Sequence, residues 1–591
     1  MRRVIGMSAA SAALIVACGH AALAQSLSSV PDNAIVFAKV NRIDQTNKKL
    51  SALLKQWGVA AMDPQFADPL ATLQSKLKVD KGLKTDGDLA VIVFNTQAIP
   101  GPHEGPPVVV MLPITDYAVF SSNFVDATVE GDITDITLPE TQEPAYMAQW
   151  GNYAAISTDR KLVSQKPKAS KAGGLAGKEL TDKDIVVYVN FASFRQQANA
   201  FMGMGQMMMA GQMEQAAQAK PATAKYAGLA KIFVQQLFTG LTHVVNETQA
   251  VTYGVSLSDQ GVQVTYLAEF APKSYLAGLV QSWKPQGATA IAGLPAGKYA
   301  AVAAWNIDGA TANTLINDAL GPIVTEAQTM GEDGKPIVDY IQATTQIFAS
   351  TRSQTFGMTV GQGEAGKSPL FNMVSVLQGE AAKIAQGELL MISSQEEFQN
   401  ALMPAGAGSK TALVKGAKTV DGVKFDQATV TADTTSGSPA QQKMVEAMYG
   451  PGGIQMSWGA VNPQTLLLTT HKDDAAISSA IVAAKAMKPM LIDAPTKASL
   501  SALPSKGFMQ AFIYGDQIME MVSKGSQTMM GMPIEFKIPA DTPPVALGMS
   551  TEGTAVRMDL YVPSPLIEAI AKAAMQEAVK GQQVKQKAGG L

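Results

Sequence analysis

Tyr253-Gly254-Val255-Ser256-Leu257-Ser258-Asp259-Gln260-Gly261-Val262-Gln263-Val264-Thr265-Tyr266-Leu267 alternates apolar and polar residues on both sides of a Gly-containing turn. Successive side chains of a strand point to opposite faces, so alternation of period two interrupted by a turn reads as a β-hairpin. The plan returns in Leu547-Gly548-Met549-Ser550-Thr551-Glu552-Gly553-Thr554-Ala555-Val556-Arg557-Met558-Asp559-Leu560-Tyr561. Each hairpin runs into a proline, Pro272 or Pro563, and then an apolar stretch of helical character. Phe356-Gly357-Met358-Thr359-Val360 reads as a third, more diverged copy.

Working outward, other segments also pair up, as an internally repeated chain requires. Val30-Pro31-Asp32-Asn33-Ala34-Ile35-Val36-Phe37, continuing to Asp44, reads as turn, strand and helix entry, and Leu294 to Asp308 repeats it. Asp44 and Asp308 are expected at helix N-termini, where a carboxylate accepts otherwise unpaired backbone N–H groups. Tyr146 to Asp159 and Gln455 to Thr470 both read as hairpins ahead of an acidic helix start, at Asp159 and at Asp473-Asp474. Strand–helix units at Ile185 to Phe194 and Phe508 to Ile518 complete the correspondence. The halves are read as 26–286 and 287–577, with a polar tail over 578–591. Hairpins in place of strand–helix–strand crossovers predict an α+β fold with mainly antiparallel sheets, packed helices and an internal duplication. Lys166 to Gly177, Ala405 to Ser409 and Thr431 to Gln442 read as loops.

The start of the chain reads as an address. Met1-Arg2-Arg3 precedes an apolar, Ala-rich run from Val4 to Ala17, and Ala22-Leu23-Ala24 supplies a small-x-small cleavage site before Gln25. The run falls short of the about 20 residues a bilayer-spanning helix needs. Ile15-Val16-Ala17-Cys18 offers a second reading, a lipobox in which Cys18 is lipidated and becomes the new N-terminus. The chain is therefore expected to be exported, to the periplasm or beyond, with or without a lipid anchor. Cys18 is the single cysteine, so no internal disulfide, Cys-based zinc site or thiol nucleophile is available.

Composition narrows the function further. At 591 residues with 47% hydrophobic and 16% charged residues, the chain can build large cores. Loss of Arg2 and Arg3 with the leader takes the net charge from −3 to −5. That balance argues against a nucleic-acid partner, whose phosphates call for clustered Lys and Arg. No later stretch is long and apolar enough to span a membrane.

Motifs that carry chemistry are few. Gly361-Gln362-Gly363-Glu364-Ala365-Gly366-Lys367-Ser368 has P-loop spacing after a strand-like segment. A P-loop requires a helix at its Lys, whereas Pro369 and Leu370-Phe371-Asn372-Met373-Val374 predict a second hairpin strand, so the stretch reads as a turn. Outside the leader the histidines are His103, His243 and His471, without metal-ligand spacing. No Gly-x-Ser-x-Gly elbow marks a nucleophile. Asp80, Asp86 and Asp88 read as a solvated turn, since calcium demands more ligands at ordered spacing. These readings assign no catalytic, cofactor or metal residue, and no cofactor.

Methionine stands out, with 30 residues in all. Met202, Met204, Met207, Met208, Met209 and Met213 crowd one segment, and Met519, Met521, Met529, Met530 and Met532 crowd its repeat-equivalent. Such clusters fill cores, form adaptable apolar surfaces or hold Cu(I). No His or Cys reinforces them as a copper site. Met204, Met208, Met209, Met530 and Met532 are the candidate apolar binding surface.

The entry Val30 to Phe37, the segment Val110-Met111-Leu112-Pro113-Ile114-Thr115-Asp116-Tyr117 and the hairpin Gln149-Trp150-Gly151-Asn152-Tyr153-Ala154 resemble large secreted bacterial proteins of unknown function, abundant in planctomycete-type bacteria. The resemblance covers mainly the first 200 residues. It implies export and a non-catalytic role, and it transfers no active-site residue. The expectation is a non-enzymatic envelope protein that binds a hydrophobic ligand, lipid or protein partner, the alternative being an extracytoplasmic hydrolase with a dispersed site.

Overall fold

A computed structural model describes residues 29–95, 107–164, 166–219, 227–283, 291–306, 308–361, 369–402, 409–432, 452–490, 493–504, 506–530, 536, 538–573 and 575. The strands are, in chain order, β1 (Ser29–Pro31), β2 (Ala34–Val40), β3 (Leu89–Phe94), β4 (Val108–Pro113), β5 (Thr128–Glu130), β6 (Ile133–Thr137), β7 (Pro144–Gln149), β8 (Tyr153–Ser157), β9 (Ala169–Lys171), β10 (Ile185–Asn190), β11 (Thr248–Ser258) and β12 (Gly261–Phe270). They continue as β13 (Ala301–Asn306), β14 (Thr351–Val360), β15 (Phe371–Gly379), β16 (Ser409–Val420), β17 (Val423–Ala432), β18 (Ile454–Asn462), β19 (Thr465–Thr469), β20 (Met509–Ile513), β21 (Val545–Glu552) and β22 (Ala555–Pro563). Every strand pairing described is antiparallel, and long helices separate the hairpins, so the fold is α+β.

The chain folds into two compact units. One takes Met1–Gln197, Asn246–Ala271 and Ala555–Leu591, the other Ala198–Val245 and Pro272–Thr554. In the first, strands pair in the order β5–β6–β7–β8–β4–β3–β2–β10–β11–β12–β22. In the second the order is β16–β17–β18–β19–β15–β14–β13–β20–β21. From β5 to β11 and from β16 to β21 the two orders run step for step.

The units nevertheless divide the chain elsewhere than between residues 286 and 287. In sequence β22 is the counterpart of β12, yet these two strands pair with each other, Gly261 opposite Pro563 and Glu269 opposite Ala555. The first unit thus holds the last strand of both halves. Gly261 permits the close approach, since a Cβ there would lie 2.4 Å from the Val562 carbonyl oxygen. Residues 198–245 belong to the second unit because Leu229 packs there with Ile323, Ala327, Ile337 and Ile341.

The central strands are covered on both faces. Along β3, Leu89 and Val91 enter one core with Leu112 and Ile136, whereas Ala90 and Ile92 enter another with Phe37, Val109 and Trp150. Burial on both sides explains why Leu89 to Phe94 is continuously apolar instead of alternating. The second unit repeats the pattern: Val374 and Val376 pack with Phe425, Leu467 and Ile481, and Leu377 packs with Trp458 and Leu466.

Some local readings need correction. Lys166 to Gly177 is not simply a loop: β9 pairs with β1, and a helix, Gly174–Asp182, buries Ala176 and Leu180. Asp308 caps the helix Gly309–Thr329, accepting from the Thr311 N–H at 2.9 Å. Asp44 does not cap its helix, Ile43–Gln56; it lies within the first turn and pairs with Lys48. Asp308→Ala is expected to cost about 1 kcal/mol, the usual worth of such a cap, read as a lower denaturation midpoint with an unchanged m-value.

Candidate functional site

Two constellations stand apart chemically. The first is a buried ionic hub in the first unit. Lys39, on β2, is 1% exposed and pairs with Asp88 at 3.1 Å. Burial pushes the Lys39 ammonium below its ordinary pKa against the opposing pull of Asp88. The Lys39 ammonium also donates to the Leu180 carbonyl at 3.1 Å, and the Asn41 amide donates to the carbonyls of Leu180 and Lys183. These donors satisfy the C-terminal carbonyls of the helix Gly174–Asp182, which would otherwise be orphaned.

The same helix carries Glu179, which meets Arg557 of β22 at 2.8 Å and Lys183 at 3.7 Å. Arg557 in turn holds Asp559 at 2.7 Å, and Asp559 accepts from Thr265 Oγ1 at 2.6 Å and Gln263 Nε2 at 3.2 Å. Burial works against the Arg557 charge, but Asp559 and Glu179 outweigh it and raise the pKa. Nearby, Asp184 accepts from Lys49, Thr46 and the Leu257 N–H.

Asp88 is therefore no part of a solvated turn: it is 2% exposed and accepts the Arg42 N–H at 2.9 Å. Asp86 stays half-exposed beside Lys84. Carboxylates and cations of the hub neutralise one another, an arrangement that holds elements in register.

The second constellation is the Met-rich segment. It forms a helix, Phe191–Ala219, followed by a second, Ala227–Glu247. Met204 and Met208 are 62% and 66% exposed, and Phe201, Met207 and Met209 are exposed with them. On the second helix Phe233, Leu237, Leu241 and Val244 are exposed as well. Met530 ends the helix Gly515–Met530, but its side chain, like all of Met532 and Cys18, lies outside the described residues. That helix follows β20 as Phe191–Ala219 follows β10.

Of the remaining sequence candidates, His243 lies on the helix Ala227–Glu247 and His471 lies elsewhere. His243 rests against the Tyr275 ring at 4.9 Å, and Tyr275 donates to Asp318 at 2.8 Å. His471 is half-buried just beyond β19, its pKa lowered by burial. His103 lies outside the described residues, as do residues 362–368 of the P-loop-like stretch. The residues bracketing that stretch are hairpin: Val360 pairs with Phe371, and the Gly361 N–H donates to the Leu370 carbonyl at 2.8 Å. Among the described residues no group of three or more His, Cys, Asp or Glu could hold a metal ion. No helix among them is long and apolar enough to cross a membrane. An open hollow of about 450 Å³ in the first unit is lined by Tyr117, Trp150 and Lys166. Its Trp150 N–H and Tyr117 hydroxyl already donate to the carbonyls of Val163 and Met147.

One buried acid had no signal in the sequence. Glu388 lies on the helix Ala381–Leu402, one turn from Ile384 and one from Ile392, both of which pack in the Trp458 core. It is 6% exposed, and burial alone pushes its pKa up to about 7. The Trp458 indole N–H in that core is unpartnered.

No family model and no curated protein matches the chain. Solved structures that match include three crystal forms of TP0453, at 8 to 10% identity and a TM-score of 0.19. These matches cover 43 to 48% of this chain and 81 to 98% of that one.

Proposed function

We propose that this chain is an exported, non-catalytic protein of the cell envelope that holds an apolar partner on its Met-rich helices. The observation behind this reading is the exposure of Phe201, Met204, Met207 and Met208 along one helix. Leaving large apolar side chains in water is unfavourable, and contiguous groups of them mark interaction surfaces. Methionine suits such a surface, because its unbranched, polarisable side chain adapts to partners of varied shape.

An apolar fluorescent probe such as anilinonaphthalene sulfonate tests this reading. The native protein is expected to enhance its emission, and Met204→Ser with Met208→Ser to remove most of that enhancement without changing the far-UV circular dichroism. Equal emission from native and substituted protein would sink the reading.

A further inference from the structure

The seam between β12 and β22 has a symmetry of its own. In the first unit the Asn41 N–H donates to the Asp184 carbonyl, and the Asp184 N–H to the Val255 carbonyl. In the second unit the Asn306 N–H donates to the Phe508 carbonyl, and the Phe508 N–H to the Met549 carbonyl. Asn41 and Asn306 are both buried, at the close of β2 and of β13. Val255 and Met549 are therefore equivalent positions of the repeat, as the alignment of Gly254 with Gly548 also requires. Two residues separate β11 from β12, and two separate β21 from β22. The equivalence thus carries through the turn, and Thr265 in β12 corresponds to Asp559 in β22.

Thr265 also lies directly opposite Asp559. On either side the pairing is reciprocal. Val264 faces Leu560, the equivalent of Tyr266, and Tyr266 faces Met558, the equivalent of Val264. Further out, Val262 faces Val562 and Ala268 faces Val556 in the same way. The nine pairs run from Gly261 to Glu269, and Thr265 is their centre. A local two-fold axis therefore passes between Thr265 and Asp559. Reciprocal pairing about such an axis is the form of an isologous contact, the kind that two identical subunits make.

We infer that the edge of β12 is a docking edge for the β12 of a second copy of this chain, an edge that β22 fills in the closed monomer. The residues fit that occupant. Two β12 strands paired about Thr265 would set Val262 against Ala268 and Val264 against Tyr266, keeping one face apolar throughout. On the other face Thr265 would meet Thr265 of the second copy, a favourable cross-strand pair. Gln263 of that copy would take the register position of Arg557, bringing an amide donor toward Glu179. Glu269, the one charged residue of β12, would oppose Gly261 as it now opposes Ala555. Two β22 strands do not fit in this way, since Asp559 would stand against Asp559, and like charges directly opposite destabilise a sheet. Arg557 and Asp559 instead select the closed seam, through Glu179 and Thr265. Without β22, the edge of β12 is a template for another strand.

The full-length chain carrying Cys18→Ser and Thr265→Cys tests this. With β22 in place it is expected to stay monomeric under oxidising conditions, because β22 covers the reporter. Asp559→Pro with Leu560→Pro is then added. Successive N–H groups of a strand point to opposite edges, so this pair removes one donor from the edge facing β12 whichever residue supplies it. The expected result is a dimer in light scattering, with a disulfide joining the two introduced cysteines. A reporter at Gln263→Cys instead should cross-link at least about tenfold less, since its two copies would stand about 14 Å apart, beyond disulfide reach. Should the prolines abolish the native circular dichroism, Asp559→Lys is the milder variant, setting a second cation beside Arg557 while keeping every backbone donor. A folded monomer, or a dimer that cross-links equally at both reporters, overturns the inference. So does loss of the fold in both variants, because a self-pairing edge would supply the missing strand.

Discussion

Glu388→Gln is expected to stabilise the second unit by about 3 kcal/mol at about pH 8 and to have little effect at about pH 4. In the folded chain burial pushes the Glu388 carboxyl up to about 7 from an ordinary 4.5. Between those two values the folded state keeps a proton that the unfolded state has released. Stability from this group is therefore fully present below about 4.5 and declines as pH rises through about 7, beyond which a buried carboxylate remains uncompensated. Glutamine resembles the protonated acid in shape and cannot ionise, so it removes the slope. Thermal melts across pH, read with hydrogen exchange along Ala381–Leu402, check this. A variant whose stability tracks the native protein at every pH would show that Glu388 is solvated.

Asp559→Ala is expected to cost about 3–5 kcal/mol, the usual penalty for stripping one partner from a buried ion pair. Asp559 is 1% exposed, and it gathers Arg557, Thr265 and Gln263 across the β12–β22 pairing. Its loss leaves Arg557 with Glu179 and a 3.4 Å contact to the Thr265 hydroxyl, and leaves that hydroxyl without this acceptor. The damage should be local first, with faster hydrogen exchange and easier proteolysis in β22 and β12, because the lost contacts join these two strands. Replacing Arg557 and Asp559 by Met and Leu together with Glu179→Gln should recover part of the stability, since Glu179 would otherwise keep only Lys183 at 3.7 Å as its ionic partner. Native-like protease resistance of β22 in the single variant would contradict this account.

Much of the architecture was legible from period and punctuation. Alternation about Gly261 located β11 and β12, and Asp308 announced the helix it caps. Pro369 and the apolar run after it foretold a hairpin strand where a P-loop demands a helix. The Met cluster was visible as composition, but its exposure was not. When most positions of a helix are apolar or small, periodicity does not say which face meets the core, and only tertiary contacts such as those of Leu229 decide it.

Sequence by itself determined the antiparallel hairpins, helix starts such as that at Asp308 and the repeated order of elements, because each depends on residues within a few positions of one another. Tertiary structure alone decided that β22 joins β12, that Asp88, Glu179 and Asp559 are interior charges, and that Glu388 sits in an apolar core. Those outcomes rest on partners up to several hundred residues away, Glu179 with Arg557 above all. A charged residue reads as solvated until the chain brings its counter-ion beside it, since local pattern carries no record of distant neutralisation.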